Sequence, residues 1–340
     1  MGTQTHPRLL FVGPEFFPSF VENDYMCLRR EYAVSVVTYP LQTRPFQLIN
    51  NPLKRLHDCF SMMHVVSISD LAFIWFANIY ALLAIVLCKI FRKKSILVAG
   101  GIDAAYVPRI RYGIANFFWG RIVSQYCFRN ADLVLSVSEY NKKEVLALSR
   151  PKRIEVVFNG IDVDFYRPEG KKEARVLTVA GLNPITYRQK GFETLRKVAS
   201  FLPQQEFTVV ADMRFDYAQN AAHDFPTNVM FKGPLTREEL LSEYRRSRVY
   251  FQPSEHESFG VALAEAMACD CVPVTTAKGA LPEVVGEEGY CSNDPQELAR
   301  TIDFVLHNAV RKSPRSRVVE NYQLRRRERS ILVLTKDLKR

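Results

Sequence analysis

Pro253-Ser254-Glu255-His256-Glu257-Ser258-Phe259-Gly260-Val261-Ala262-Leu263-Ala264-Glu265-Ala266-Met267-Ala268 is the stretch on which the reading of this chain turns. Two carboxylates, Glu257 and Glu265, flank a Ser-Phe-Gly helix start. The pattern places Glu257 on the loop before a helix and Glu265 about two turns inside it. Amides of Phe259, Gly260 and Val261 are then first-turn donors without an intrahelical partner, a setting in which anions bind. Gly260 permits close approach to the backbone. The segment therefore offers a carboxylate for hydroxyls beside an N–H cluster for phosphates, and a sugar nucleotide carries both groups. The plainer alternative is an amphipathic helix with two solvated acids.

The same spacing argues against a two-carboxylate glycosidase of the retaining type, whose carboxyl groups stand about 5–5.5 Å apart. Eight residues of helix rise about 12 Å.

Working outward, short apolar runs alternate with helical stretches. Leu9–Gly13, Val34–Tyr39, Ile96–Ala99 and Leu133–Val137 read as strands in the first half, with a helix near Asp24–Arg30. Val176–Ala180, Phe207–Val210, Val229–Phe231, Val249–Phe251 and Cys271–Val274 repeat the pattern in the second. Thr236-Arg237-Glu238-Glu239 is a capping box. The alternation predicts two doubly wound α/β halves meeting near Pro168–Lys172, with strand C-terminal ends facing a shared cleft. Leu71–Phe91 is almost wholly apolar. It reads as a core helix capped by Ser69 and Asp70, a membrane span being the alternative by length. Lys54, Arg55, Arg92, Lys93 and Lys94 lie near it as headgroup anchors or plain solubility charges.

Hydrophobic residues make up 47% and charged residues 24% of the 340, so a large core is available. Seven cysteines are scattered without zinc-site spacing, which suits reduced thiols in the cytoplasm. No signal peptide or myristoylation signal is expected at the start. The net charge of +10 is uneven: +7 over residues 1–150, −5 over 151–308 and +8 over 309–340. The basic ends suggest an anionic surface, either membrane headgroups at the cytosolic face or nucleic acid. No nucleic-acid-binding motif accompanies the charge, so the membrane is favoured and no nucleic acid is expected. A solvated basic helix at Arg325-Arg326-Arg327-Glu328-Arg329 explains the tail equally well.

The E-x7-E segment with its Glu265-Ala266-Met267-Ala268 end resembles the retaining glycosyltransferases of family 4, which have the GT-B fold. Further similarities run in order along most of the chain: Ala131–Ser138, Val157–Asp162 with Phe165 and Pro168, Lys190-Gly191-Phe192, Phe231–Leu235, and Gly279–Val285. The resemblance implies an N-terminal acceptor-binding domain over 1–170 and a nucleotide-sugar-binding domain over 171–312. A basic helix over 313–340 would then return to the first domain. It implies metal-independent transfer of a hexose or related sugar, with retention, from a nucleoside diphosphate (UDP or GDP) to a glycan or lipid-linked acceptor. No cofactor is implied, and no DxD motif is present; Asp212-Met213-Arg214 is not one.

The resemblance also assigns roles. Lys190 contacts the diphosphate, Glu257 the donor-sugar hydroxyls and Glu265 the ribose hydroxyls. Ser258, Phe259, Gly260 and Val261 hold sugar or phosphates, and Leu235 lies by the base. The family's arginine after the strand glycine is replaced here by Leu182, so Arg188 is the expected substitute. The first domain departs from the family pattern. Gly13-Pro14-Glu15 stands where relatives have a Gly-Gly pair. Gly100-Gly101-Ile102-Asp103 stands where relatives have a histidine. Glu15, Gly101 and Asp103 are the acceptor-side candidates, Asp103 as a proton acceptor or a helix cap. His64, His223 and His256 are isolated. Rival readings are a sugar-nucleotide epimerase, a catalytically inactive sugar-nucleotide-binding protein, and a basic nucleic-acid binder.

Overall fold

Leu9, Leu10, Phe11 and Val12 are fully buried in the computed structural model, as a continuous apolar run at the centre of a parallel sheet should be. The structure describes residues 6–39, 52–211, 222–309 and 312–339. These form two compact units: residues up to Gly160 together with Arg325–Arg340, and Ile161–Leu324.

In the first unit the chain runs β1 (Arg8–Pro14), α1 (Ser19–Leu28), β2 (Ala33–Tyr39), α2 (Pro52–Ile68), β3 (Leu71–Trp75), α3 (Ile79–Ile90), β4 (Lys94–Ala99), α4 (Phe118–Asn130), β5 (Leu133–Ser136), α5 (Glu139–Leu148) and β6 (Ile154–Val156). Its six described strands are parallel, in the order β2-β1-β3-β4-β5-β6. In the second unit the order along the chain is β7 (Glu173–Val179), α6 (Pro184–Gln189), α7 (Phe192–Phe201), β8 (Phe207–Val210), β9 (Val229–Lys232), α8 (Arg237–Arg246), β10 (Ser247–Gln252), α9 (Val261–Ala268), β11 (Val272–Thr275), α10 (Leu281–Val285), β12 (Tyr290–Cys291), α11 (Pro295–His307) and α12 (Pro314–Asn321). Its parallel sheet has the order β12-β11-β10-β7-β8-β9. Each sheet is doubly wound in the Rossmann manner, and the two together make the GT-B fold. Thr236 caps α8 in the expected reciprocal box with Glu239.

The last helix, α13 (Leu324–Lys339), belongs to the first unit. The fastening is a buried ion pair. Arg327 Nε and Nη2 each donate to a different Asp24 carboxylate oxygen at 2.7 Å, with both side chains 1% exposed. Arg327 Nη1 also donates to the carbonyls of Val157 and Phe158. Burial raises the Asp24 pKa, and the guanidinium opposes that rise. The basic tail is thus not wholly a solvated or surface-seeking helix. One of its arginines is an internal clamp.

The apolar stretch Leu71–Phe91 is not one helix. Leu71–Trp75 is the fully buried strand β3, and the helix starts only at Ile79. Phe76 adopts a left-handed φ of 65° at the turn. Asn78 caps α3 by accepting from the amides of Tyr80 and Ala81. Ser69 and Asp70 have other work: Ser69 Oγ donates to the Val65 carbonyl, and Asp70 accepts from the Arg8 amide. Most of the hydrophobicity of this stretch goes to the core, although Ile79 and Ile90 are exposed. Among the described residues no helix is long and apolar enough to cross a membrane. Helix α1 also begins earlier than the Asp24–Arg30 expected, at Ser19. The side chains of Lys54 and Arg55, and the whole of Asp212–Arg214, lie outside the described residues.

Candidate functional site

Strands β7 and β10 are parallel neighbours, so the loops that leave their C-terminal ends emerge side by side. The β7 loop leads through α6 to Lys190, and the β10 loop carries Glu257. Backbone bonds join them: the Glu255 amide donates to the Gln189 carbonyl at 2.8 Å, and Gln189 Nε2 donates to the His256 carbonyl at 2.8 Å. Two glycines let the loops pack this closely. A Cβ on Gly191 would sit 1.8 Å from the Pro253 carbonyl oxygen, and one on Gly279 would sit 2.5 Å from that of Glu257. Both have positive φ, 69° and 61°, where side chains are strained.

The result is a fixed carboxylate. Glu257 Oε1 accepts from Lys190 Nζ at 2.5 Å, Gln252 Nε2 at 2.8 Å and Ser254 Oγ at 2.9 Å. Glu257 is 8% exposed, so the pair is shielded from most of the solvent. Three donors on one oxygen hold the rotamer. Sequence reading misses Gln252 and Ser254; their place at the end of a strand leading to Glu257 is the available signal.

Downstream, Gly260 is the N-cap of α9 in the left-handed region, φ 91°. The first helical bond runs from Ala264 N to Gly260 O. The first-turn amides are therefore those of Val261, Ala262 and Leu263, two residues later than Phe259–Val261. Ser258 and Phe259 are buried in the approach to the helix, Phe259 with its ring 5.2 Å from that of Tyr322.

Glu265 lies inside α9 and is buried. Tyr244 donates to its Oε2 at 3.2 Å, and Tyr166 also bonds to it. Burial pushes its pKa up to about 7, against the hydrogen bonds of the two tyrosines and the nearby Arg237 charge. The Arg237 guanidinium stacks on Phe165 at 4.1 Å. Nothing local in the sequence marks Tyr244 or Arg237 as part of a site. Tyr166 does fall within the linker stretch that carries the resemblance.

The remaining candidates are placed as follows. Arg188 is exposed at the end of α6. Leu235 is half-buried between β9 and α8. In the first unit Glu15 is exposed just after β1, its amide bonded to the Tyr39 carbonyl. Asp103 is completely buried: Oδ2 accepts from the Ala77 amide and Oδ1 from the Gly101 amide, each at 2.8 Å. Its carboxylate thus ties the turn after β3 to the loop after β4, and burial raises its pKa to about 6. Among the described residues no group of three or more His, Cys, Asp or Glu side chains is arranged to hold a metal ion.

Comparison with known proteins bears on family and fold. A family model described as "Glycosyl transferases group 1" matches residues 167–325. A phosphatidylinositol N-acetylglucosaminyltransferase subunit from Arabidopsis thaliana is 21% identical over 96% of this chain and 84% of its own. D-inositol 3-phosphate glycosyltransferase of Mycobacterium sp. (strain KMS) is 29% identical over 52% of this chain and 45% of its own. The chain thus spans about half the length of the mycobacterial relative. Among solved structures, Anabaena HepE in complex with UDP and glucose superposes with a TM-score of 0.76 at 17% identity, covering 97% of this chain and 100% of that one. Residues 167–325 of the chain thus match the group 1 glycosyltransferases, and its two sheets share the GT-B fold of the solved structures it resembles.

Proposed function

We propose that this protein transfers a hexose or related sugar, with retention, from a nucleoside diphosphate to a glycan or lipid-linked acceptor. The observation that carries the reading is the Lys190–Glu257 pair, set by two glycines beside the first turn of α9. When the glycosidic bond to the diphosphate breaks, negative charge grows on the departing phosphate. Lys190, the first-turn amides of α9 and Arg188 supply positive charge there. Glu257 accepts from hydroxyls of the donor sugar and fixes its anomeric carbon. Glu265 accepts from the ribose diol, and Leu235 packs against the base. The leaving phosphate oxygen takes the acceptor's proton, so no side chain need form a covalent bond to sugar.

On the first unit, Glu15 and Gly101 line the acceptor side. Asp103 acts there as a positioning residue that sets the Gly100–Gly101 loop. UDP is the favoured nucleotide, with GDP next. The relatives that act on inositol-containing acceptors, by their names, make a hydroxylated lipid headgroup or small polyol the first acceptor class to try. The experiment is transfer of labelled sugar from UDP- and GDP-sugars to phosphatidylinositol, inositol phosphate and glycan acceptors, with the product's anomeric configuration read by NMR. A retained anomer on one acceptor supports the reading. Inversion at the anomeric carbon, or epimerised donor with no transfer, refutes it.

A further inference from the structure

Helix α4 turns Ser124, Cys127 and Phe128 into the first unit's core. Its opposite face is not polar. Phe118 and Trp119 are each 72% exposed and Ile122 42%, and Phe117 just before the helix is 66% exposed. Tyr126 continues the same stripe one turn on. Residues at this spacing fall on one face of a helix. Single exposed apolar residues are ordinary, but a contiguous aromatic and aliphatic stripe marks an interaction surface.

The charge along this segment is one-sided. From Ala104 to Asn130 the sequence contains four arginines and no aspartate or glutamate. Arg111, Arg121 and Arg129 are exposed, and Arg121 lies over the ring of Tyr106 at 5.8 Å. Exposed aromatic rings and an isoleucine on a segment whose only charged residues are arginines complement the boundary between anionic headgroups and acyl chains. Two other occupants fit less well. A second copy would bring like charge against like. A nucleic-acid strand needs flat platforms for its bases, whereas the Phe118 and Trp119 rings meet edge to face at 76°.

We infer that the Phe117–Tyr126 face inserts shallowly into an anionic lipid surface and seats the first unit on it. The site differs from the Leu71–Phe91 stretch, most of which packs in the core. The inference goes beyond the transferase reading and does not depend on it.

The chain provides its own probe. It has two tryptophans, and Trp75 is fully buried, so a change in emission reports Trp119. The full chain is mixed with phosphatidylcholine vesicles, with or without phosphatidylglycerol, and with vesicles carrying brominated acyl chains. The expected result is sedimentation with the phosphatidylglycerol vesicles, a blue shift of Trp119 and quenching by bromine. Raised salt should weaken binding. The F118S/I122S variant keeps Trp119 and alters only exposed positions. It should melt like the wild type, bind about tenfold more weakly and lose the blue shift. Four results overturn the inference: no sedimentation, sedimentation with Trp119 unquenched, a shift that grows with protein concentration without lipid, or a variant that binds as well as wild type.

Discussion

Lys190 Nζ lies 2.5 Å from Glu257 Oε1, so the cation assigned to the donor's phosphates and the carboxylate assigned to its sugar hold each other in place. Lys190→Ala removes one of three donors to Glu257 and, on the proposed reading, a phosphate contact. Turnover should fall about 10²–10³-fold, the scale for loss of one donor to developing charge. The cost to folding should be small, about 1 kcal/mol, because Gln252 and Ser254 still grip the carboxylate and the lysine is partly solvated. Steady-state kinetics beside a denaturant melt separates the two effects.

In its proposed place at the ribose, Glu265 would tie binding to pH. Its pKa is raised to about 7 by burial, and only the ionised carboxylate accepts from both hydroxyls of a ribose. Nucleotide affinity should therefore be full above pH 7 and fall by up to about tenfold per unit below it. Stability runs the other way. A carboxyl whose folded pKa is raised contributes stability that is present below its unfolded pKa and lost as pH rises through 7. Titrating nucleotide binding between about pH 5.5 and about pH 8.5 checks the first slope; Glu265→Gln should flatten it.

Gly191 tests the loop geometry without touching a charged group. Gly191→Ala places a Cβ 1.8 Å from the Pro253 carbonyl oxygen at a φ of 69°. The loop must shift, and Glu257 shifts with it. A stability loss of about 1–3 kcal/mol with weakened sugar-nucleotide binding is expected. Thermal melting with and without nucleotide reads both.

Arg327→Ala should be the most damaging change in the last helix. It leaves Asp24 charged and unpaired in a site 1% exposed, which costs about 3–5 kcal/mol. Arg327→Met with Asp24→Leu removes both charges and should recover most of that loss. Arg326, which shares the sequence run, should tolerate alanine with little change in melting temperature.

These two arginines show where sequence reading runs out. In Arg325-Arg326-Arg327 nothing local says which side chain points inward; that depends on Asp24, some 300 residues away. Leu71–Phe91 misleads for a different reason. A strand buried on both faces has no alternation, so it merges with the apolar helix that follows. Asn78, whose side chain caps α3, is the boundary signal inside the run. The doubly wound sheets, the capping box at Thr236 and the loop position of Glu257 are legible because period, turn residues and motif order are local. Gln252, Ser254, Tyr166 and Tyr244 are not, since their roles arise from strand adjacency and packing. Asp103 is legible as a candidate, but the two amides that bind its carboxylate belong to a turn 26 residues upstream and to its own loop.

The most direct test of the account is calorimetric binding of UDP, GDP, ADP and their common sugar conjugates to wild type, Lys190→Ala and Glu265→Gln. The account predicts that one nucleotide binds selectively and that both substitutions weaken it by about tenfold or more. Absence of binding by any nucleotide to well-folded protein, or binding that both variants retain at full strength, would contradict it.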